Sequence, residues 1–158
     1  KTYAGAAGSE YFLVAKSDNQ TLTNDTTQKI SFDEEVYDSG SLYDPSTNYR
    51  FTAATTGYYH IGYALSMEAG SDKLSTFIVY VYKNGSVLNL DGGKQQGAFI
   101  YYHQGNPGRN LSATNSLIIN LSATDYIEMY ANLGHADGGS NTGSMIDYYS
   151  QFWGYRIQ

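Results

Sequence analysis

An all-β sandwich or jelly roll is the fold the sequence predicts, and three observations predict it. Short runs of alternating or continuously apolar residues recur along the chain, separated about every 8–12 residues by Gly, Pro, Asn and Asp turn signals. No stretch sustains the periodicity of an amphipathic helix. Taken together the runs give roughly eight to ten antiparallel strands, the range of sandwiches and jelly rolls. The lack of a repeat of about 20–50 residues argues against a propeller.

In chain order, residues 1–10 are mostly small and contain glycine, and are expected to form a linker or stalk remnant ahead of a head domain over 11–158. Tyr11–Lys16 is apolar enough for a first strand, and Ser17–Gln28 reads as a polar loop. Lys29–Asp33 alternates polar with apolar residues, the pattern of a half-buried strand, and Glu34–Asn48 is rich in turn residues. After a short strand Tyr49–Ala53 and a corner at Gly57 comes a long strand, Tyr58–Met67, whose Tyr59, Ile61, Tyr63 and Leu65 point one way. Leu74–Lys83 is apolar on both faces, as expected of a strand covered on both. Asn84-Gly85 then marks a hairpin, because both residues tolerate the positive φ of a type I′ turn. Gln96–His103, Ser116–Leu121, Asp125–Asn132 and Tyr148–Ile157 read as further strands, with a glycine-rich loop over Gly134–Gly143.

Composition narrows the function classes. The 158 residues carry 9 basic and 15 acidic groups, a net charge of -6, and no Lys or Arg cluster. Nucleic acid is therefore an unsuitable partner, since its binding depends on neutralising phosphates, and no apolar run approaches the roughly 20 residues of a membrane span. Cysteine is absent, which removes disulfides and thiol chemistry. Charged residues are only 15% of the chain, while tyrosine occurs 17 times; tyrosine favours strands and also serves on binding surfaces. The chain opens at Lys1 without methionine or a signal-peptide pattern, and is expected to be an excised or processed piece of something longer.

The order of elements resembles the globular head of complement component one, subcomponent q, and through it the tumour necrosis factor superfamily. Tyr43-Asp44-Pro45, Phe51-Thr52-Ala53, Gly57-Tyr58-Tyr59, Tyr82-Lys83-Asn84-Gly85 and the closing Phe152-x-Gly154-Tyr155 carry the likeness, which covers approximately Lys29 to Ile157. The chain departs from the family pattern at Thr47-Asn48 and at Thr55-Thr56. Its early section, with Phe32-Asp33 and Tyr37-Asp38, looks most like the versions in phage and bacterial surface proteins. The resemblance implies a ten-stranded jelly roll that forms homotrimers, often at the tip of a stalk. Aromatics on both faces of Tyr58–Met67 and Tyr148–Ile157 fit a covered outer face. Tyr58, His60, Tyr148 and Phe152 are expected at that trimer interface.

Several residues are candidates for ligands. His60 would bring copies of an imidazole together around a threefold axis, as a pH sensor or metal site, or is simply hydrogen-bonded. In the glycine-rich loop, His135, Asp137 and Asn141 would meet a sugar, and Asp137 in particular would hold Ca²⁺, a cation that prefers oxygen ligands; the plain alternative is a connection. Arg109 in the Asn106-Pro107-Gly108-Arg109 turn would meet the carboxylate of an acidic sugar, the alternative being a plain turn. Tyr101 and Tyr102, with His103, and the Tyr148-Tyr149 pair offer rings to sugars, or serve as cross-strand aromatic pairs. Asp91-Gly92-Gly93 and Asp33-Glu34-Glu35 lack calcium-loop spacing and read as a turn and a solvated edge.

The chain contains no Gly-x-Ser-x-Gly, no His-Glu-x-x-His and no phosphate loop. The resemblance, with the charge-poor composition and the tyrosines, implies a non-catalytic trimeric recognition head of a viral, phage or bacterial surface fibre, at an extracellular or virion surface, binding a glycan or protein receptor through exposed loops. A structural capsid or fibre-tip module and a polysaccharide-cleaving enzyme are the alternatives, the second because paired carboxylates are not visible in sequence.

Overall fold

The computed structural model describes residues 10–69, 74–90, 94–95, 97–101, 110–135 and 142–157. The strands are β1 (Tyr11–Ala15), β2 (Gln20–Thr23), β3 (Gln28–Lys29), β4 (Glu34–Asp38), β5 (Tyr43–Asp44), β6 (Arg50–Thr52), β7 (Gly57–Ala69) and β8 (Leu74–Lys83). They are followed by β9 (Ser86–Val87), β10 (Asn89–Leu90), β11 (Lys94–Gln95), β12 (Gly97–Tyr101), β13 (Asn110–Leu121), β14 (Tyr126–His135), β15 (Thr142–Met145) and β16 (Gln151–Arg156). Two seven-stranded antiparallel sheets face each other, and β10 pairs with β11 as a separate ribbon. The first sheet runs β2-β15-β7-β16-β1-β4, with β13 along the free edge of β7; the second runs β12-β8-β14-β6-β5, with β3 on β14 and β9 on β8.

Alternation drives this arrangement. Tyr59, Ile61, Tyr63, Leu65 and Met67 of β7 are all buried against Phe77, Val79 and Val81 of β8 and Ile127 and Met129 of β14. At one end of that core the rings interlock: Phe12 stacks on Phe51 with centroids 4.6 Å apart and meets the edge of Phe152 at 4.9 Å. Such a cluster stabilises through area burial and through ring geometry together. Tyr43 joins it, and the next residue explains the Tyr-Asp-Pro motif. The Asp44 carboxylate accepts from the N–H groups of Thr47 at 2.9 Å, Ser46 at 3.1 Å and Asn48 at 3.1 Å, which holds it well below the usual carboxylate range.

The Asn84-Gly85 hairpin forms as expected, with φ of 52° and 78° and Lys83 opposite Ser86. Asn84 also accepts from the Tyr126 N–H at 2.9 Å and donates to Asp125 at 2.8 Å, tying the turn to the start of β14.

Other expectations are corrected. Lys29–Asp33 does not form a full strand; the ladder to β14 ends with the Ile30 N–H, which donates to the Met129 carbonyl at 2.9 Å, although Ile30 and Phe32 are fully buried. Side chains take over the hydrogen bonding there: the Ser31 N–H donates to Gln20 Oε1 at 3.0 Å and its carbonyl accepts from Lys16 Nζ at 2.8 Å. The expected loop Ser17–Gln28 contains β2, and the turn-rich Glu34–Asn48 contains β4 and β5. The last strand begins at Gln151, because Asp147–Tyr149 winds into a short 3₁₀ turn. Ser122-Ala123-Thr124 forms a turn that carries the chain from β13 in the first sheet to β14 in the second. Thr56 Oγ1 and the Ala53 carbonyl anchor it, accepting from the Ala123 and Thr124 N–H groups at 3.0 and 2.8 Å.

Candidate functional site

Two surfaces stand apart from the core. The first is the outer face of the first sheet. Register places Ile118 of β13 opposite His60 of β7, His60 opposite Tyr155 of β16, and Tyr155 opposite Tyr11 of β1. The His60 and Tyr155 rings lie 5.2 Å apart, and Tyr11 meets Tyr37 of β4 edge-on at 6.0 Å. Ile118 is 62% exposed, and Tyr58, Tyr155, Tyr11 and Tyr37 are exposed as well. An apolar band thus crosses this face, with Trp153 half-buried beside it. Continuous exposed apolar surface of this kind marks an interaction site.

The expected interface residues divide accordingly. Tyr58 and His60 lie on the band's face of β7. Phe152 does not: it is fully buried and packs on Phe12, Phe32 and Tyr43, because the inward set of β16 is Phe152 and Gly154 while Gln151, Trp153 and Tyr155 face outward. Tyr148 is 82% exposed but sits in the 3₁₀ turn at the far end of the sheet, beside a groove of about 260 Å³ lined by Lys16, Glu34, Asp147 and Gln151.

The second surface is one end of the sandwich. Pairings of Glu68 with Asn110, Ala69 with Gly143, Leu74 with His135 and Thr76 with Tyr101 bring together the ends of β7, β12 and β14 and the starts of β8, β13 and β15. At the opposite end Tyr11, Tyr155, Gly57 and Leu121 meet, so the first and last described strands enter and leave there. Tyr101 is 56% exposed and lies nearly parallel to Phe99 with centroids 6.4 Å apart. His135 is not on a loop: it ends β14 buried, its N–H donating to Asn24 Oδ1 at 2.8 Å, with both ring nitrogens buried and unpaired. Burial at the core rim is incompatible with presentation as an exposed ligand group. Tyr102, His103, Arg109, Asp137 and Asn141, with Asp91-Gly92-Gly93, lie outside the described residues.

Among the described residues no group of three His, Asp or Glu is placed to hold a metal. Asp33 serves its loop, accepting from the Ser17 N–H at 2.9 Å and hydroxyl at 2.7 Å. On the outer face of the second sheet Tyr82 and Tyr130 stack at 4.1 Å, and Lys29, over Tyr130, pairs with the buried Glu128 at 2.6 Å.

The comparisons with known proteins agree with this architecture. The C1q domain family model matches residues 11–157. The chain belongs to the C1q domain family. The phage-like element PBSX protein XkdV of Bacillus subtilis (strain 168) is 26% identical to this C1q domain over 136 residues. That match covers 82% of the chain and only 18% of the relative. The globular domain of zebrafish complement 1qA protein shares the fold with a TM-score of 0.63 at 13% identity, covering 94% of this chain and 98% of that one. Eiger TNF from S. frugiperda does so with a TM-score of 0.58 at 12% identity, covering 95% and 92%.

Sequence reasoning missed Ile118, Tyr155, Tyr11, Tyr37 and Trp153 in the band of this C1q domain. Part of the signal was available. The alternation in the last strand separates Phe152 and Gly154 from Trp153 and Tyr155, but only cross-strand register shows which set faces the interior.

Proposed function

We propose that this C1q domain is the non-catalytic, trimeric recognition head of a phage or bacterial surface fibre, extracellular or on a virion, and that it binds a glycan or protein receptor. The observation that carries the reading is the division of the molecule. The apolar band on the first sheet's outer face needs cover, which further copies of the chain supply. The ends of β7, β12 and β14 and the starts of β8, β13 and β15 lie opposite the end where the first and last described strands emerge. A head mounted at the latter would therefore present the former outward. Tyr101, stacked on the exposed Phe99, offers an exposed ring near that end for a sugar or a side chain. The likeness to XkdV supports the phage setting.

Two measurements test the reading. Light scattering at micromolar concentration is expected to return three times the chain mass, and a monomeric mass overturns the trimer. Labelled head is expected to bind bacterial cells, with Tyr101→Ala weakening binding severalfold. Heads that assemble but bind no cell or glycan would instead be structural tip modules.

A further inference from the structure

We infer that His60 makes assembly of this head proton-sensitive, its neutral imidazole fitting the covered outer face of the first sheet and acidification separating the copies. The inference rests on the reading that this face is covered by other copies of the chain, and it adds a control over that contact.

His60 lies in the middle of the apolar band. On its own strand the same face carries Tyr58 and Gly62; β13 presents Ile118 directly opposite, with Ser116 and Asn120 on either side; β16 presents Tyr155 and Trp153; and β1 follows with Tyr11. None of these groups is a carboxylate or a cation. The charged side chains next along β16 and β1, Arg156 and Glu10, are engaged elsewhere: Arg156 Nη2 donates to the Thr56 carbonyl at 3.2 Å, and Glu10 accepts from the inward-facing Tyr59 hydroxyl. His60 Nδ1 is already buried within one chain and has no hydrogen-bond partner. A proton added at Nδ1 therefore finds no acceptor in its own chain, and the remaining exposed edge of the ring is the part through which water relieves the charge.

Where copies of the band meet about a threefold axis, that water is lost and the same uncharged groups are brought up, together with further imidazoles that repel once charged. The charged form is thus penalised more in the assembly than in the free head, by loss of solvation and by like charge. Proton linkage then fixes the direction. Assembly binds fewer protons than the separated heads, so it weakens as pH falls. Exclusion of one proton per chain would change the dissociation constant of a trimer by up to about a thousandfold per pH unit.

The test is sedimentation velocity at fixed micromolar concentration from pH 8 to pH 5, with circular dichroism at each pH to follow folding. Wild-type head is expected to sediment as a trimer at pH 8 and as folded monomer at pH 5. His60→Leu and His60→Gln are each expected to stay trimeric throughout. Wild-type trimers that persist at pH 5, or dissociation at pH 5 that is unchanged in both variants, overturn the role of His60 while leaving the trimer intact. A monomer at every pH overturns the trimer reading, and this inference with it.

Discussion

Trp153 lies face-on against the backbone of Gly62. A Cβ built on Gly62 would fall 2.5 Å from Cε2, 2.6 Å from Cζ2 and 2.6 Å from Nε1 of the indole, so it is the ring's face that occupies the space. Glycine at this position is a steric requirement: any side chain would lift the indole away from β7, next to His60 and Tyr155 in the apolar band. Trp153 is also the one tryptophan of the chain, so its fluorescence reports on that face alone.

Gly62→Val is expected to displace the indole at a cost of about 1–3 kcal/mol, the usual range for overpacking. Trp153 emission should shift to longer wavelength in the variant while far-ultraviolet circular dichroism keeps its β signature. Unchanged emission would show that the ring does not rest on Gly62.

Phe152 and Tyr155, three residues apart, should behave oppositely. Phe152→Ala opens a hole beneath Phe12, Phe32 and Tyr43 and is expected to cost about 3–5 kcal/mol in urea unfolding. Tyr155→Ser removes a half-exposed ring and should change the stability of the single chain by about 1 kcal/mol or less, its effect appearing in assembly instead.

Acid should loosen the end of the sandwich that holds the Asn84-Gly85 hairpin. Hydrogen bonds from Asn84 and Lys83, with the Ser122 N–H, hold Asp125 down at about 2. A carboxylate lowered on folding stabilises the fold above its unfolded value of about 3.9, and that contribution disappears as pH falls through the folded value. Urea midpoints should therefore fall progressively between about pH 4 and pH 2. Asp125→Asn should lower stability at pH 7 and flatten that dependence.

Glu128 is buried while its partner Lys29 is partly exposed, so removing the cation should cost more than removing both. Lys29→Met leaves the Glu128 carboxylate without its cation and is expected to cost about 3 kcal/mol. Lys29→Met with Glu128→Leu should recover most of it. Equal losses in the single and double variants would show that the ion pair is not what Lys29 contributes.

The parts legible in the sequence were those fixed by alternation and by turn chemistry. Leu74–Lys83, the inward set Tyr59, Ile61, Tyr63 and Leu65, and the Asn84-Gly85 turn all follow from local rules, and their ordered spacing identified the family. Features depending on distant partners were not legible. Gln20–Thr23 offers a single buried apolar residue, Leu22, and becomes a strand only because β15 pairs with it. Ser31 loses its place in a strand to the side chains of Lys16 and Gln20, 15 and 11 residues away. The glycines around His135 suggest a loop, yet His135 pairs with Leu74 and is buried. The apolar band assembles from β1, β4, β7, β13 and β16, and no single segment announces it.

The pairing of Tyr11 with Tyr155 bears on how such a domain is carried. Antiparallel neighbours at the two extremities of the fold mean that a longer polypeptide can run into the domain and out of it through a single seam. The fold is then transplantable: it can cap a chain or be spliced into a surface loop of another protein without either sheet being rebuilt. A circular permutant, with a short peptide bridging residues 10 and 157 and new ends opened at the Asn84-Gly85 turn, should keep the same strand order and the same outward tyrosines.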